Sequence, residues 1–276
     1  MDAFQRFVIS NLGAWQEFRT RHPIVFNSMY PAYRLYKQGR RWKYRQIYNR
    51  FKDYTMLLPD WYTANLELCD NFRHVAGNVV ECGVWKGGMS AGIAYLLGED
   101  RTYYLYDSFE GLPAAEDRDA IHGREAAAKD WQGRLRAAEE HATEAMKLAG
   151  AKRVVVVKGW FSETLPHYDH GPIAILRLDG DFYASVMDSL INLWQHVVVG
   201  GLIILDDYYT WTGCTRAVHD FLSQNQLTEP IQQFHGTYAY IVKERDINQA
   251  SGSLIKGRWA SSGEPRTVGQ DYRTGL

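Results

Sequence analysis

Three cysteines in 276 residues, Cys69, Cys82 and Cys214, are too few and too irregularly spaced for a disulfide framework or a zinc site. Such scarcity fits a reducing compartment. No apolar run approaches the ~20 residues that cross a bilayer, so no membrane span is expected. Arg6, Asn11, Gln16 and Glu17 interrupt the first stretch, so no apolar leader is expected, and the expected location is the cytoplasm. Net charge is almost absent: 31 basic and 32 acidic residues leave −1, which gives no global field for nucleic acid. Locally the balance fails. Phe18 to Lys52 holds no Asp or Glu, but contains Arg19, Arg21, Arg34, Lys37, Arg40, Arg41, Lys43, Arg45, Arg50 and Lys52. A dinucleotide turn is also missing. Where G-x-G-x-x-G would stand the chain reads G-V-W-K-G-G, which disfavours an NAD oxidoreductase.

What is present is an alternation of short apolar runs and helical periodicities, in a length that suits one large or two small domains. Phe4, Phe7, Val8, Leu12, Trp15 and Phe18 recur at helical spacing, a stripe that suits packing on the body, a subunit contact or a membrane surface, and a dimer is expected. Residues 33–52 interleave Tyr33, Tyr36, Trp42, Tyr44, Tyr48 and Phe51 with the basic residues. This reads as a helical arm whose Lys and Arg stems cover the rings; an RNA platform is the other reading. Asp60 is placed to cap a helix from Trp61 to about Val75. Strands are expected at Asn78–Val84, Thr102–Tyr106, Arg153–Lys158, Ile173–Leu178, Leu202–Leu205 and Thr237–Val242. Helices are expected at Met89–Leu97, Arg134–Leu148, Tyr183–His196 and Cys214–Leu222, and an edge hairpin around Gln232–His235. Residues 111–132 read as a polar loop insertion. The predicted architecture is a doubly wound, mostly parallel α/β sheet with an antiparallel edge strand. A helical arm or lid occupies 1–60, the core 61–247, and a tail 248–276.

Two of these strands end in acid. Ile173–Leu178 delivers Asp179 and Asp181; Leu202–Leu205 delivers Asp206 and Asp207. Parallel strands joined by a helix end at the same sheet edge, where open α/β sheets bind ligands. Taken as having no local Lys or Arg, Asp179, Asp206 and Asp207 repel one another, and a hard cation such as Mg²⁺ would relieve this. Capping of the following helices is the competing role.

The first strand ends in VECGVWKGG. Gly83, Gly87 and Gly88 allow close backbone approach, and Glu81 before the turn suits a cationic ligand. The second ends in YDSFEGLP, where Asp107 sits as the acid that accepts ribose hydroxyls in nucleotide-binding α/β folds. Glu81, Gly83 and Asp107 together suggest S-adenosylmethionine, which carries an ammonium, a sulfonium and a ribose diol but no phosphate. After the third strand, Gly159 permits a turn, and Trp160 or Phe161 either flanks an adenine ring or packs in the core.

VECGVWKGG, YDSFEGLP, GWFSETLP and LRLDGDFYASVMDSL…GGLIILDDY together resemble the macrocin-type sugar O-methyltransferases of antibiotic biosynthesis, over about residues 54–243. The resemblance implies a Rossmann-like class I methyltransferase fold, similar to catechol O-methyltransferase, with S-adenosylmethionine and Mg²⁺. It further implies that Asp179, Asp206 and Asp207 hold the metal, that Glu81, Gly83, Ser90, Asp107, Ser108 and Phe109 contact the cofactor, and that Thr55 and Met56 close over it. The expected reaction is methyl transfer to a hydroxyl of a sugar or other natural product, rather than RNA methylation or nucleotide binding without chemistry. Metal coordination would acidify and orient that hydroxyl. Asp181, and next Asp179, are the candidates to take its proton, with orientation of a ligand or helix capping as Asp181's alternative role.

Overall fold

The computed structural model describes Arg21, residues 38–123 and residues 131–247. The predicted first helix, its dimer contact and the tail after Asn248 lie outside these residues. Seven strands form one sheet: β1 (Asn78–Cys82), β2 (Tyr103–Asp107), β3 (Val154–Lys158), β4 (Ile173–Leu178), β5 (Val197–Leu205), β6 (Gln232–Phe234) and β7 (Tyr238–Val242). Their order is β3-β2-β1-β4-β5-β7-β6. The first five are parallel, whereas β7 runs antiparallel to both β5 and β6, so the expected edge hairpin is present. Strand order reverses between β1 and β4, the switch point at which such sheets open a crevice.

Helices cover both faces: α1 (residues 38–51), α2 (Pro59–Asn71), α3 (Gly88–Leu97) and α4 (Glu139–Leu148) on one, and α5 (Phe161–Thr164), α6 (Tyr183–Leu193) and α7 (Thr212–Gln224) on the other. Alternation along β1 divides the core accordingly. Val79 packs under α2 and α3, while Val80 and Cys82 pack under α6. No described helix is long and apolar enough to cross a membrane.

Several boundaries differ from expectation. Asp60 caps nothing. Pro59 starts α2, Leu58 is its N-cap without a side-chain bond, and Asp60 lies in the first turn beside Arg45. Strand β5 begins five residues before Leu202, because Val197 already pairs with Ile173. Helix α4 starts at Glu139, not Arg134, since Gly133 and Arg134 instead exchange backbone bonds with Leu112. The short α5 has no periodicity to betray it.

Helix α1, the described part of the arm, packs on the body. Tyr44, Ile47 and Phe51 are buried in the core. The Arg40 guanidinium bonds the Tyr44 hydroxyl, and Arg50 lies over the Tyr95 ring. Tyr44 and Phe51 are therefore not available to stack on bases. The described part of the insertion is also docked. Its Asp119 is buried and accepts hydrogen bonds from the amides of Tyr183 and Glu116, while Ala120 and Thr212 exchange bonds across the gap to α7.

Gly83 turns the chain after β1 at a φ of 91°, and a Cβ there would overlap the carbonyl oxygen of Asp179. The glycine thus serves the approach of β1's end to β4's end. We expect Gly83→Ala to cost roughly 3 kcal/mol, combining left-handed strain with overpacking. Urea unfolding checks this, and an unchanged midpoint contradicts it.

Candidate active site

The ends of β1, β2, β4 and β5 open into one cavity of about 500 Å³. Thr55, Met56, Glu81, Gly83, Asp107, Ser108, Gly159 and Trp160 line it, as do Asp179, Asp181, Asp206 and Asp207. Of the expected cofactor residues, Ser90 and Phe109 do not line it. Ser90 is buried behind Glu81 and donates its hydroxyl proton to that carboxylate, and Phe109 is a buried core residue.

Asp107 ends β2 and fastens the loop after β1. Its Oδ2 accepts the amides of Val84 (2.7 Å) and Trp85 (2.8 Å), and its Oδ1 accepts that of Phe109 (2.6 Å). Oδ1, with one amide, retains the more open acceptor capacity. Burial raises the carboxyl above the usual range against these three bonds. Trp85 and Phe109 both sit at positive φ, 49° and 56°, so the two loops holding this carboxylate are themselves bent.

The acid end contains a cation that the sequence reading left out. Arg177, on β4, is fully buried. Its Nη1 donates to Glu81 Oε1 (2.6 Å) and to Asp179 Oδ2 (2.7 Å), and its Nη2 donates to Asp206 Oδ1. The register explains this. Glu81 pairs with Arg177 and Arg177 with Ile204 across β1, β4 and β5, and the period of two puts Asp179 and Asp206 on that same face. Burial works against the guanidinium's charge, but Asp206, Asp179 and Glu81 outweigh it and hold its pKa well above the ordinary value. The premise that the acids lack a local cation is therefore corrected.

Both Glu81 oxygens are engaged, one by Arg177 and one by Ser90. Glu81 is a counter-ion to Arg177 before it is a ligand group for anything in the cavity. The expected metal trio also changes. Asp179, Asp181 and Asp207 present oxygens within 4.8 Å of one another. Asp206 is held on Oδ1 by Arg177, with Asn65 Nδ2 at 3.5 Å. Asp181 joins the cluster because its backbone takes a φ of 55° and its amide donates to Asp207 Oδ2 at 3.1 Å. Burial first, and then the neighbouring acids, push the carboxyls of Asp181 and Asp207 well above the usual range. Asp206 is pushed to about 7 by burial, opposed by Arg177. Three carboxylates whose oxygens converge within 4.8 Å, Asp207 buried and Asp179 and Asp181 half-buried, are an all-oxygen donor set that fits a hard divalent ion.

Trp61 and Asp188 were not singled out by sequence. Trp61 is 41% exposed at the cavity mouth, with its ring edge on Tyr238. Trp61 and Asn65 are one turn apart on α2, so that face looks onto the acid cluster. Asp188 lines the wall formed by α6 with Ala184 and Ser185. Small Ala184 and Ser185 one turn before an acid, on the helix that follows an acidic strand end, were the signal available for it.

This sheet order, with a cavity at the switch point joining a β2-end acid to a β4/β5 acid cluster, defines a Rossmann-like class I methyltransferase fold. The chain matches the family model described as macrocin-O-methyltransferase over residues 65–243, and it belongs to that family. It is 36% identical over 169 residues to 8-demethyl-8-(2,3-dimethoxy-alpha-L-rhamnosyl)-tetracenomycin-C 4'-O-methyltransferase of Streptomyces olivaceus, covering 59% of this chain and 64% of that one. Demethyldecarbamoylnovobiocin O-methyltransferase of Streptomyces niveus is 32% identical over 165 residues, 58% of this chain and 63% of its own. The chain thus spans just under two thirds of the length of these relatives. The solved structure of the O-methyltransferase NovP is similar at a TM-score of 0.58 and 30% identity, covering 66% of this chain and 81% of that one.

Burial raises the Asp188 carboxyl to about 6. A raised folded-state pKa means that the folded chain holds the proton longer than the unfolded chain, so the ionised group opposes folding above pH 6 and is neutral to it well below pH 4. Asp188→Asn should therefore raise the melting temperature at pH 8 and leave it unchanged at pH 3.5. A lower melting temperature at pH 8 would contradict this.

Proposed function

We propose that this protein is an S-adenosylmethionine- and Mg²⁺-dependent O-methyltransferase acting on a hydroxyl of a sugar or sugar-bearing natural product. The observation that carries the reading is the single cavity, with Asp107 at one end and the cluster Asp179, Asp181 and Asp207 at the other. Family membership supports the same chemistry, and the two named relatives methylate small molecules by their names. The proposed enzyme works in the cytoplasm, as a dimer.

Asp107 would accept a ribose hydroxyl through Oδ1, and Thr55 and Met56, following the turn Lys52–Tyr54, would cover the cofactor from the arm side. Gly159 and Trp160 border the same cavity from the β3 end. Carboxylate oxygens of Asp179, Asp207 and Asp181 would hold the divalent ion, with Asp206 oriented behind them by Arg177. When bound, the ion supplies positive charge that lowers the pKa of an acceptor hydroxyl. Trp61 offers an exposed ring beside the acids, and an aromatic face suits the apolar face of a pyranose ring. Asp181, held forward by its strained backbone and bonded by the Trp211 side chain, is the residue proposed to take the hydroxyl proton. Fixing the hydroxyl and the methyl donor in one cavity removes much of the entropic barrier to an in-line displacement.

Two outcomes test this. Asp107→Ala should weaken S-adenosylhomocysteine binding by about 2 kcal/mol in calorimetry, the range for hydrogen bonds to a charged group; unchanged affinity would contradict the cofactor assignment. Asp207→Asn should abolish methyl transfer to a rhamnosylated acceptor at saturating cofactor, as should EDTA in the native enzyme, and re-added Mg²⁺ should restore only the latter. Full activity in excess chelator would remove the metal from the mechanism.

A further inference from the structure

Arg177 is the one fully buried guanidinium among the described residues, and it stands inside an acid cluster. Its partners come from three strands: Glu81 at the end of β1, Asp179 just after β4, and Asp206 just after β5. Five carboxylates gather here, counting Asp181 and Asp207. One half of the group is tied to the guanidinium. The other half, Asp181 and Asp207, has no basic side chain bonded to it among the described residues: the Asp207 carboxylate accepts the Asp181 amide, and the Asp181 carboxyl is bonded by the Trp211 side chain.

We propose that Arg177 is an internal counter-cation and a positioning residue. It fixes one oxygen each of Glu81, Asp179 and Asp206, so that the acid cluster takes a single divalent ion, at the Asp179–Asp181–Asp207 side, and releases it readily. The inference rests on the metal-dependent reading above. Its physical basis is direct. A positive charge beside the ion repels it. The planar fork engages carboxylates that would otherwise turn toward the ion, and Lys has no equivalent fork. Arg177 also ties the β1 end to the β4 and β5 ends, so the cofactor half and the acid half of the cavity share one charged hub.

The test is Mg²⁺ titration of the native protein, Arg177→Lys, Arg177→Met and the double variant Arg177→Met/Glu81→Gln, by calorimetry and by melting temperature. Native protein should bind one Mg²⁺. Arg177→Met should bind it about tenfold more tightly or better, with a larger gain in melting temperature at saturation, because the ion replaces the lost charge. Arg177→Lys should fall between them. The double variant removes one buried acid with the arginine and guards against misfolding of the single variant. It should keep the tighter binding, because Asp206 is still released. Equal Mg²⁺ affinity and equal melting gain in all four proteins would overturn the proposal. If the native protein takes no Mg²⁺ while Arg177→Met does, the metal-dependent reading fails and the role of Arg177 stands. If the native protein binds one ion and the variants bind it no more tightly, the metal remains and Arg177 is structural only.

Discussion

One buried ionic group organises the functional edge of this sheet. Arg177 is fully enclosed, and its charge is held by bonds from Nη1 to Glu81 and Asp179 and from Nη2 to Asp206, while its Nε has no hydrogen-bond partner among the described residues. Breaking such a buried pair typically costs about 3–5 kcal/mol, since the partner is left as an unpaired charge. The geometry in turn requires the register Glu81↔Arg177 across β1 and β4 and Arg177↔Ile204 across β4 and β5. A slip of β4 by one residue would turn Arg177, and Asp179 with it, into the face packed under α6 and leave Glu81 and Asp206 without a cation between them.

The surrounding backbone is shaped to permit that contact. Gly83 lets the end of β1 pass against the carbonyl of Asp179, so the turn after β1 and the turn after β4 are built against each other. Asp107 secures the first of these turns with two amide bonds. Gly88 admits the carbonyl of Tyr54, and Gly92 admits the Tyr62 ring, whose hydroxyl bonds Gly88. The arm and α2 are thereby seated directly over the start of α3. On the other side, Asp119 locks the described part of the insertion to the amide of Tyr183 at the start of α6. Sheet edge, arm and insertion are packed consequences of the same strand ends.

Most of the architecture was legible in the chain. The runs Ile173–Leu178 and Asn78–Cys82 are too apolar for a half-exposed sheet and too short for core helices, and the helical spacing between strands fixes parallel neighbours. Strand-end acids were legible for the same reason: Asp107, Asp179, Asp206 and Asp207 follow apolar runs directly, and the cavity gathers them. What was not legible depended on register. Arg177 reads as one charge in an apolar strand, and its meaning appears only when Glu81 is set opposite. Ser90 was implied as a cofactor contact by the family resemblance, and the helix phase turns its hydroxyl onto Glu81. Asp181 entered the cluster through a left-handed backbone conformation that no propensity of Asp would require. Asp60 failed as a cap because Pro59, at the preferred first helical position, starts α2 two residues before the expected Trp61.

The central claim is that the acid cluster is divided, with the arginine on one half and a single divalent ion on the other. A crystal of the full chain grown with S-adenosylhomocysteine and soaked in Mn²⁺ tests this most directly, through anomalous diffraction. The account predicts one anomalous peak, bound by oxygens of Asp179, Asp181 and Asp207, with the Arg177 guanidinium still bonded to Glu81 and Asp206. Two peaks within the cluster, or a single peak at the position of a displaced guanidinium, would contradict it.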